Sequence, residues 1–147
     1  MIKPEYTNLL LGLKNKSSTQ NISLKNLSRK YYGIRSKFLF RLSVFFKSQS
    51  EIYNYVLGAN MAFWKKDLFE VNGFNEDIIG WGKEDNEIAV RLINSGRELI
   101  IAKNLCIVYH LHHNEVSRKM LKENEILFKK SIEEKLIYAE NGLAKYL

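Results

Sequence analysis

Residues 80–87 read Gly-Trp-Gly-Lys-Glu-Asp-Asn-Glu, and this stretch decides how the sequence around it is interpreted. The two glycines that flank Trp81 predict a flexible turn. The acids that follow predict the first turn of a helix, where the helix dipole favours negative charge. An apolar stripe at helical spacing comes next, formed by Ile88, Ala89, Leu92 and Ile93. With Gly96 as a stop signal, the sequence predicts a helix over residues 84–95 that begins at an aromatic turn.

The segments on either side of this helix predict a mixed α/β arrangement. Apolar runs at 53–64, 98–102 and 105–111 favour strands, the last two joined as a hairpin. Helical spacing favours helices at 65–72 and 115–139. These elements are too few to close a doubly wound sheet, so we expect an incomplete sheet.

The composition is typical of a packed domain or of part of a larger one. The chain has 147 residues, of which 46% are hydrophobic and 12% aromatic, and it has one proline. Its one cysteine, Cys106, excludes an internal disulfide and fits a reducing compartment, and the apolar run around it predicts a buried thiol. No apolar run approaches the roughly 20 residues of a membrane-spanning helix, and residues 1–5 do not begin a signal peptide. We therefore expect a cytoplasmic protein.

The net charge of +7 is concentrated in the first third of the chain. Residues 1–50 contain ten Lys or Arg and one acid, whereas residues 51–147 contain thirteen Lys or Arg and fifteen acids. The basic character of this protein therefore belongs to residues 1–50. It is evidence about the surface or partner that this segment contacts.

Part of this basic segment, residues 36–47, has the pattern of an amphipathic helix. Its apolar face would contain Phe38, Leu42, Phe45 and Phe46, with Lys37, Arg41 and Lys47 around it. One interpretation is a helix that covers the core of a larger domain. The other is a helix that contacts anionic lipid at the inner face of the cell membrane. Charge alone would also suit nucleic acid, but no recognition motif is present, so we expect no nucleic-acid partner.

Asp85 is the candidate catalytic residue of the central stretch. It lies one turn before Ile88 and Ala89 on the same helical face, at a helix start reached through the Trp81 turn. A carboxylate there can accept a proton from a hydroxyl group that comes within about 2.6–3.2 Å. Glu84 projects to a different side and could hydrogen-bond the same substrate. The alternative is that both acids simply satisfy free backbone N–H groups at the helix start.

The aromatic and imidazole side chains each allow two interpretations. Trp81 either fills the core or forms a platform for the apolar face of a ligand such as a sugar ring. His110, His112 and His113 are the three histidines of the chain. On a strand, His110 and His112 would share one face, with His113 on the other. They are either metal ligands or ordinary surface histidines, and zinc would need three or four ligands.

Four pieces of sequence, taken in order and spacing, resemble a known family. They are residues 58–63 (Gly-Ala-Asn-Met-Ala-Phe), residues 69–76 (Phe-Glu-Val-Asn-Gly-Phe-Asn-Glu), residues 80–87, and residues 91–96 with Arg-Leu at the start and Gly at the end. Together they resemble the C-terminal galactosyltransferase-type domain of animal β-1,4-galactosyltransferases, bacterial chondroitin-type polymerases and many family 2 bacterial glycosyltransferases. The resemblance covers residues 54–113.

The resemblance implies the acceptor-side, C-terminal part of an α/β fold called GT-A. It implies that Asp85 is the base on the acceptor hydroxyl and that Glu84 is a neighbouring acid in contact with the acceptor. Trp81 and Gly82 match the flexible loop that closes over sugar. Lys83 departs from the animal enzymes, which have glycine at that position.

The resemblance also implies a donor side and a metal. Gly58 and Asn60 would border the donor sugar, and His110 would be a metal ligand. The metal, usually manganese or another divalent cation, neutralises the departing diphosphate. The family's Asp-x-Asp metal motif is missing, because the three aspartates of this chain, Asp67, Asp77 and Asp85, do not form it.

We therefore expect three parts: a basic, partly helical segment (1–50), a galactosyltransferase-type domain (51–113) and a helical tail (114–147). The nucleotide-binding half, and with it tight manganese binding, would lie outside this sequence. The expected function is metal-dependent, inverting transfer of a hexose or N-acetylhexosamine from a UDP-sugar to a glycan or lipid-linked acceptor, in surface polysaccharide synthesis. The alternative is a non-catalytic carbohydrate-binding or regulatory module derived from such an enzyme.

Overall fold

The structure is a computed structural model that describes residues 35–45, 51–102, 104–106, 108–114 and 116–147. Its α-helices are α1 (Lys37–Phe45), α2 (Lys65–Glu70), α3 (Glu84–Asn94) and α4 (Leu121–Glu133). Short 3₁₀ helices occupy Ile52–Tyr55, Gly58–Asn60 and Leu143–Tyr146. The chain divides into two compact units. The first comprises Met1–Phe45 and Ala102–Glu115, and the second comprises Phe46–Ile101 and Val116–Leu147.

The predicted α/β class is wrong, because no residue in the described part of the chain lies in a strand. The run at 53–64 instead forms two 3₁₀ turns, and the expected hairpin over 98–111 has no regular structure where it is described. A strand must satisfy its backbone groups across a ladder, and a lone hairpin is marginally stable. Here backbone bonds are made locally, as from Asn60 N–H to the Leu57 carbonyl at 3.0 Å. The incomplete sheet expected for a GT-A half is therefore absent from these residues.

The predicted helices agree more closely with the structure than the predicted strands do. Helix α3 ends one residue before the predicted boundary, and Gly96 follows in a left-handed conformation with φ 84°. The helix predicted over 115–139 is shorter, at Leu121–Glu133. It ends where Lys135 turns left-handed (φ 51°) and the Leu136 N–H bonds back to the Ser131 carbonyl at 3.1 Å, a Schellman ending.

Helix α1 confirms the helix predicted over 36–47 as far as the structure describes it. Ser36 accepts a hydrogen bond from the Leu39 N–H at 3.2 Å, which caps the helix start. The apolar piece at 8–13, the polar stretch at 14–28 and residues 46–47 lie outside the described residues. Cys106 is exposed, so the predicted buried thiol is wrong. Among the described helices, none is long and apolar enough to cross a membrane.

A buried ion pair between Glu87 and Arg91 organises the second unit. Both side chains are at most 1% exposed, and the Arg91 Nε lies 2.7 Å from Glu87 Oε1. The Arg91 guanidinium also donates to the carbonyls of Val71 and Gly73, just after α2. Ser131 of α4 donates to Glu87 Oε1 at 2.9 Å. The pair thus ties α3 to the turn after α2 and to α4.

Apolar packing surrounds this ion pair. The core side chains of the second unit come from all three of its helices or the turns beside them, and they include Val71, Ile88, Ala89, Val90, Phe128 and Ala139. Asn72 fixes the C-terminal segment to this core, because its side-chain amide donates to the Ala139 carbonyl at 2.6 Å. Helix α3 is therefore bonded to the other segments of this unit from several sides.

We predict that Arg91→Met lowers the free energy of unfolding by about 3–5 kcal/mol, because it leaves the Glu87 carboxylate buried without its cation. Urea unfolding followed by circular dichroism measures the change. The matched control is Lys129→Met, since Lys129 is 61% exposed in its ion pair with Glu125 and its loss should cost less than about 1 kcal/mol. Equal losses from the two variants would contradict the organising role of the buried pair.

Candidate functional site

The Trp81 turn has an unusual backbone that only certain residues allow. Gly80 and Gly82 have φ values of 76° and 108°. A Cβ atom at Gly82 would lie 2.7 Å from Leu121 Cδ1, so a larger residue would push against α4. Lys83 is also left-handed, with φ 76°, and its ammonium lies 4.8 Å from the centre of the Phe128 ring. The backbone conformation thus favours glycine at both positions, and close packing favours it at Gly82 as well.

Two side chains hold this turn in place. Glu84 Oε2 accepts a hydrogen bond from the Gly82 N–H at 2.8 Å. The buried amide of Asn124 in α4 donates to the carbonyls of Ile79 and Gly82, at 3.1 and 3.0 Å. The sequence interpretation missed Asn124, although a polar residue four positions from Met120 and Phe128, on the apolar face of its helix, was a signal. In this structure Glu84 stabilises the turn that carries Trp81.

The Trp81 ring is 41% exposed, so it does not fill the core. The Arg118 guanidinium lies 4.5 Å from the ring centre, which is a cation–π contact. Arg118 is another residue that the sequence interpretation missed, because it is distant in the chain and belongs to no motif. The ring is therefore partly fixed and partly open to solvent, as a sugar platform needs.

Asp85 lies in the first turn of α3 and packs directly on the backbone of Gly58. A Cβ atom built on Gly58 would lie 2.1 Å from Asp85 Oδ2, so any larger residue would displace this carboxylate. The Gly58 N–H forms a hydrogen bond with the Asp85 carboxylate. Two motif pieces that are far apart in sequence thus meet at one point, and Asn60 ends the same short 3₁₀ turn as Gly58.

Asp85 is half-buried, and its pKa is raised above the ordinary value. Burial is the larger cause and the negative charge of Glu84 adds to it, while the Gly58 hydrogen bond partly opposes both. A carboxylate with a raised pKa is a stronger proton acceptor, which suits a general base. The segment before Gly58 is held beside it, because Asn86 donates to the Tyr53 carbonyl at 2.6 Å.

His110 belongs to the first unit, whereas the other predicted site residues belong to the second. Its Nε2 lies 2.9 Å from Nε2 of His113, and the two rings are tilted by 30°. Pairing of His110 with His112 across a strand face is wrong, because this segment is not a strand. Residues three apart face each other instead, so His113 is the partner that the sequence interpretation missed.

The two imidazoles are joined by a hydrogen bond between their Nε2 atoms, and its length is close to the spacing of two ligands on one metal ion. Nitrogen ligands about 2.1 Å from an octahedral ion and at right angles to each other are separated by about 3 Å. No group of three or more His, Cys, Asp or Glu side chains in the described part of the chain could hold a metal. The described residues therefore supply two nitrogen donors, and any further ligands would come from elsewhere.

Comparison with known proteins adds independent information. Residues 41–114, half of the chain, match a family model described as the N-terminal domain of galactosyltransferase. A chondroitin synthase from Escherichia coli is 43% identical over 44 residues, which are 30% of this chain and 6% of that protein. The match thus spans a small fraction of that relative's length. No solved structure matches the chain.

We predict that Asp85→Asn stabilises the protein at neutral pH. Because the folded-state pKa of Asp85 is raised, the folded state holds its proton more tightly than the unfolded state does. The stability of the wild-type protein therefore falls as pH rises from the ordinary pKa of 3.8 through the raised value. Asparagine cannot ionise, so the variant avoids this loss. The gain should stay below about 1 kcal/mol, because water screens a half-exposed carboxylate.

Urea unfolding of both proteins between pH 3 and pH 8 measures this difference. We expect the advantage of Asp85→Asn to shrink as the pH falls towards about 4 and to disappear below it, because Asp85 is then protonated in both states. A variant that is less stable than the wild-type protein at pH 7, or an advantage that does not depend on pH, would contradict the assignment.

Proposed function

This chain belongs to the galactosyltransferase family, and on that premise we propose that it forms the acceptor side of an inverting glycosyltransferase. One observation carries the proposal: the half-buried Asp85 carboxylate, with its raised pKa, lies at the start of the helix that the half-exposed Trp81 turn leads into. A proton acceptor four residues after an aromatic side chain, at the start of a helix, is an arrangement that suits a sugar acceptor. The family match supports a glycosyltransferase in general, and we propose the roles of the individual residues.

Trp81 binds the apolar face of the acceptor sugar, and Asp85 accepts the proton of its attacking hydroxyl group. The hydroxyl oxygen forms a bond to the anomeric carbon of the donor hexose or N-acetylhexosamine. The bond to the UDP oxygen breaks on the opposite side, so the configuration at that carbon inverts. Glu84 and Asn124 maintain the turn that positions Trp81, which leaves the proton transfer to Asp85.

Gly58 serves this step through its backbone. Its N–H holds the carboxylate in one orientation, and its missing side chain provides the space that the carboxylate occupies. Asn60 lies in the same turn, and we assign both residues to the border with the donor sugar. The acceptor is a glycan or a lipid-linked glycan.

We also propose that His110 and His113 hold a divalent cation, with manganese the expected metal. The support is the 2.9 Å separation of their Nε2 atoms. When bound, the ion would supply positive charge of the kind that neutralises a diphosphate. Since the sequence contains no Asp-x-Asp pair, we assign the remaining ligands and the nucleotide-binding half to residues outside this sequence.

The histidine assignment predicts selective broadening of imidazole signals by Mn²⁺. The three histidines give a simple proton NMR spectrum. We expect the His110 signal to broaden at low Mn²⁺ concentration, and His113→Ala should raise the concentration required by about tenfold. The matched control is His112→Ala, which should leave it unchanged. Equal effects of the two variants, or no effect of His113→Ala, would contradict the metal site.

The acceptor site is tested by glycan binding to the purified chain, measured by saturation-transfer NMR and calorimetry. For any glycan that binds, we expect Trp81→Ala to weaken binding by about tenfold or more, because the stacked ring loses its apolar contact area. The matched control is Trp64→Ala, since Trp64 is 77% exposed in the same unit and belongs to no motif. Glycan binding that Trp81→Ala leaves unchanged would contradict the proposed function.

Transfer from UDP-sugars with Mn²⁺ separates catalysis from binding. Asp85→Asn should keep glycan affinity and lose transfer in any preparation that is active. We expect little or no transfer by the 147-residue chain alone, because the Asp-x-Asp pair is missing. Transfer by this chain that Asp85→Asn abolishes would contradict that expectation. Glycan binding that never depends on Mn²⁺ or UDP would favour a non-catalytic module instead.

A further inference from the structure

Helix α1 exposes its most apolar face. Phe38 and Phe45 are 72% and 81% exposed, and Leu42 between them is 42% exposed. These residues are four and three positions apart, so they form one continuous stripe on the helix. No other helix that the structure describes presents two phenylalanines so openly.

The other side of α1 is less exposed at its centre. Phe40, on the face opposite Phe38, is half-buried, and the Ser36 N–H just before the helix donates to the Asn104 carbonyl at 2.9 Å. A helix of a globular protein normally turns its apolar stripe inward. Here the stripe lies on the side of α1 that is most exposed among the described residues.

Positive charge borders this exposed stripe. Arg35, Lys37 and Arg41 lie on or beside α1, and the described residues of the first unit include no aspartate or glutamate. The whole segment 1–50 carries ten Lys or Arg against one acid. A partner that binds this surface must therefore offer an apolar region for the phenylalanine rings and negative charge for the lysine and arginine side chains.

We propose that α1 binds the surface of a membrane that contains anionic lipids. Phe38, Leu42 and Phe45 enter the boundary between headgroups and acyl chains, while Lys37 and Arg41 contact lipid phosphates. The helix has nine residues, which is about 14 Å, so it lies in the plane of the interface and does not cross it. Helix α1 contains none of the proposed acceptor or metal residues. A test of membrane binding is therefore independent of the proposed glycosyltransferase function.

Other occupants fit these observations less well. A nucleic acid would use the cations but would gain nothing from burying an aliphatic and two aromatic side chains on a single helix face. A second copy of the chain would bring two strongly basic segments together, and their repulsion would oppose association. Anionic lipid offers negative charge and an apolar layer at the same surface.

Flotation of the purified chain with vesicles tests the proposal. One vesicle is phosphatidylcholine alone, and the other contains about 30% phosphatidylglycerol. We expect binding to the anionic vesicles and weak binding to the neutral ones, with a several-fold loss when salt rises from about 0.05 to 0.5 M. The double variant Phe38→Ser with Phe45→Ser should reduce binding by about tenfold or more. Lys37→Glu with Arg41→Glu should reduce it further.

The matched control is Trp64→Ser, because Trp64 is equally exposed but lies in the second unit. It should bind vesicles like the wild-type protein, and circular dichroism should show that every variant keeps its helical content. Unchanged binding by the double phenylalanine variant would overturn the proposal and would assign the binding to charge alone. Concentration-dependent dimers that the same variant abolishes, with no vesicle binding, would overturn it in favour of self-association.

Discussion

The buried ion pair between Glu87 and Arg91 is the interaction on which the second unit depends. Removing two charges from water is costly, and this cost is offset only because both groups have several further partners. Arg91 reaches two carbonyls after α2, and Glu87 accepts from Ser131 of α4. Three segments therefore meet at one pair of side chains. Since Asp85 precedes Glu87 by only two residues, its direction is fixed by the same network.

Two features of the site each lower the stability of the folded state slightly, and the interactions of the ion pair compensate for them. Lys83 adopts a left-handed conformation that costs a non-glycine residue about 1 kcal/mol, and its contact with the Phe128 ring offsets part of that cost. Asp85 is half-buried next to Glu84, which disfavours its charge. A fold that only needed stability would avoid both features. Their occurrence on either side of one helix start is consistent with a site whose chemistry requires a turn and a basic carboxylate.

The sequence predicted the parts that depend on local physical chemistry. Helix α3, its acidic first turn and the glycines around Trp81 follow from dipole, periodicity and backbone freedom. The strands were wrong because apolar runs do not reveal whether a pairing partner exists, and the structure satisfies those backbone groups in 3₁₀ turns. Asn124, Arg118 and the pairing of His113 with His110 depend on contacts between residues outside the motifs or on the true backbone conformation. The contact of Gly58 with Asp85 also required the fold, although both residues were predicted to belong to the site.

The central claim is that Asp85 and Trp81 contact the same acceptor sugar. A crystal structure of this chain with a bound acceptor glycan tests it most directly. We predict a sugar ring on the exposed face of Trp81 with one hydroxyl oxygen about 2.6–3.2 Å from the Asp85 carboxylate. A glycan bound instead in the apolar groove that Leu68, Phe74, Leu143 and Tyr146 line, with no hydroxyl group near Asp85, would contradict the account.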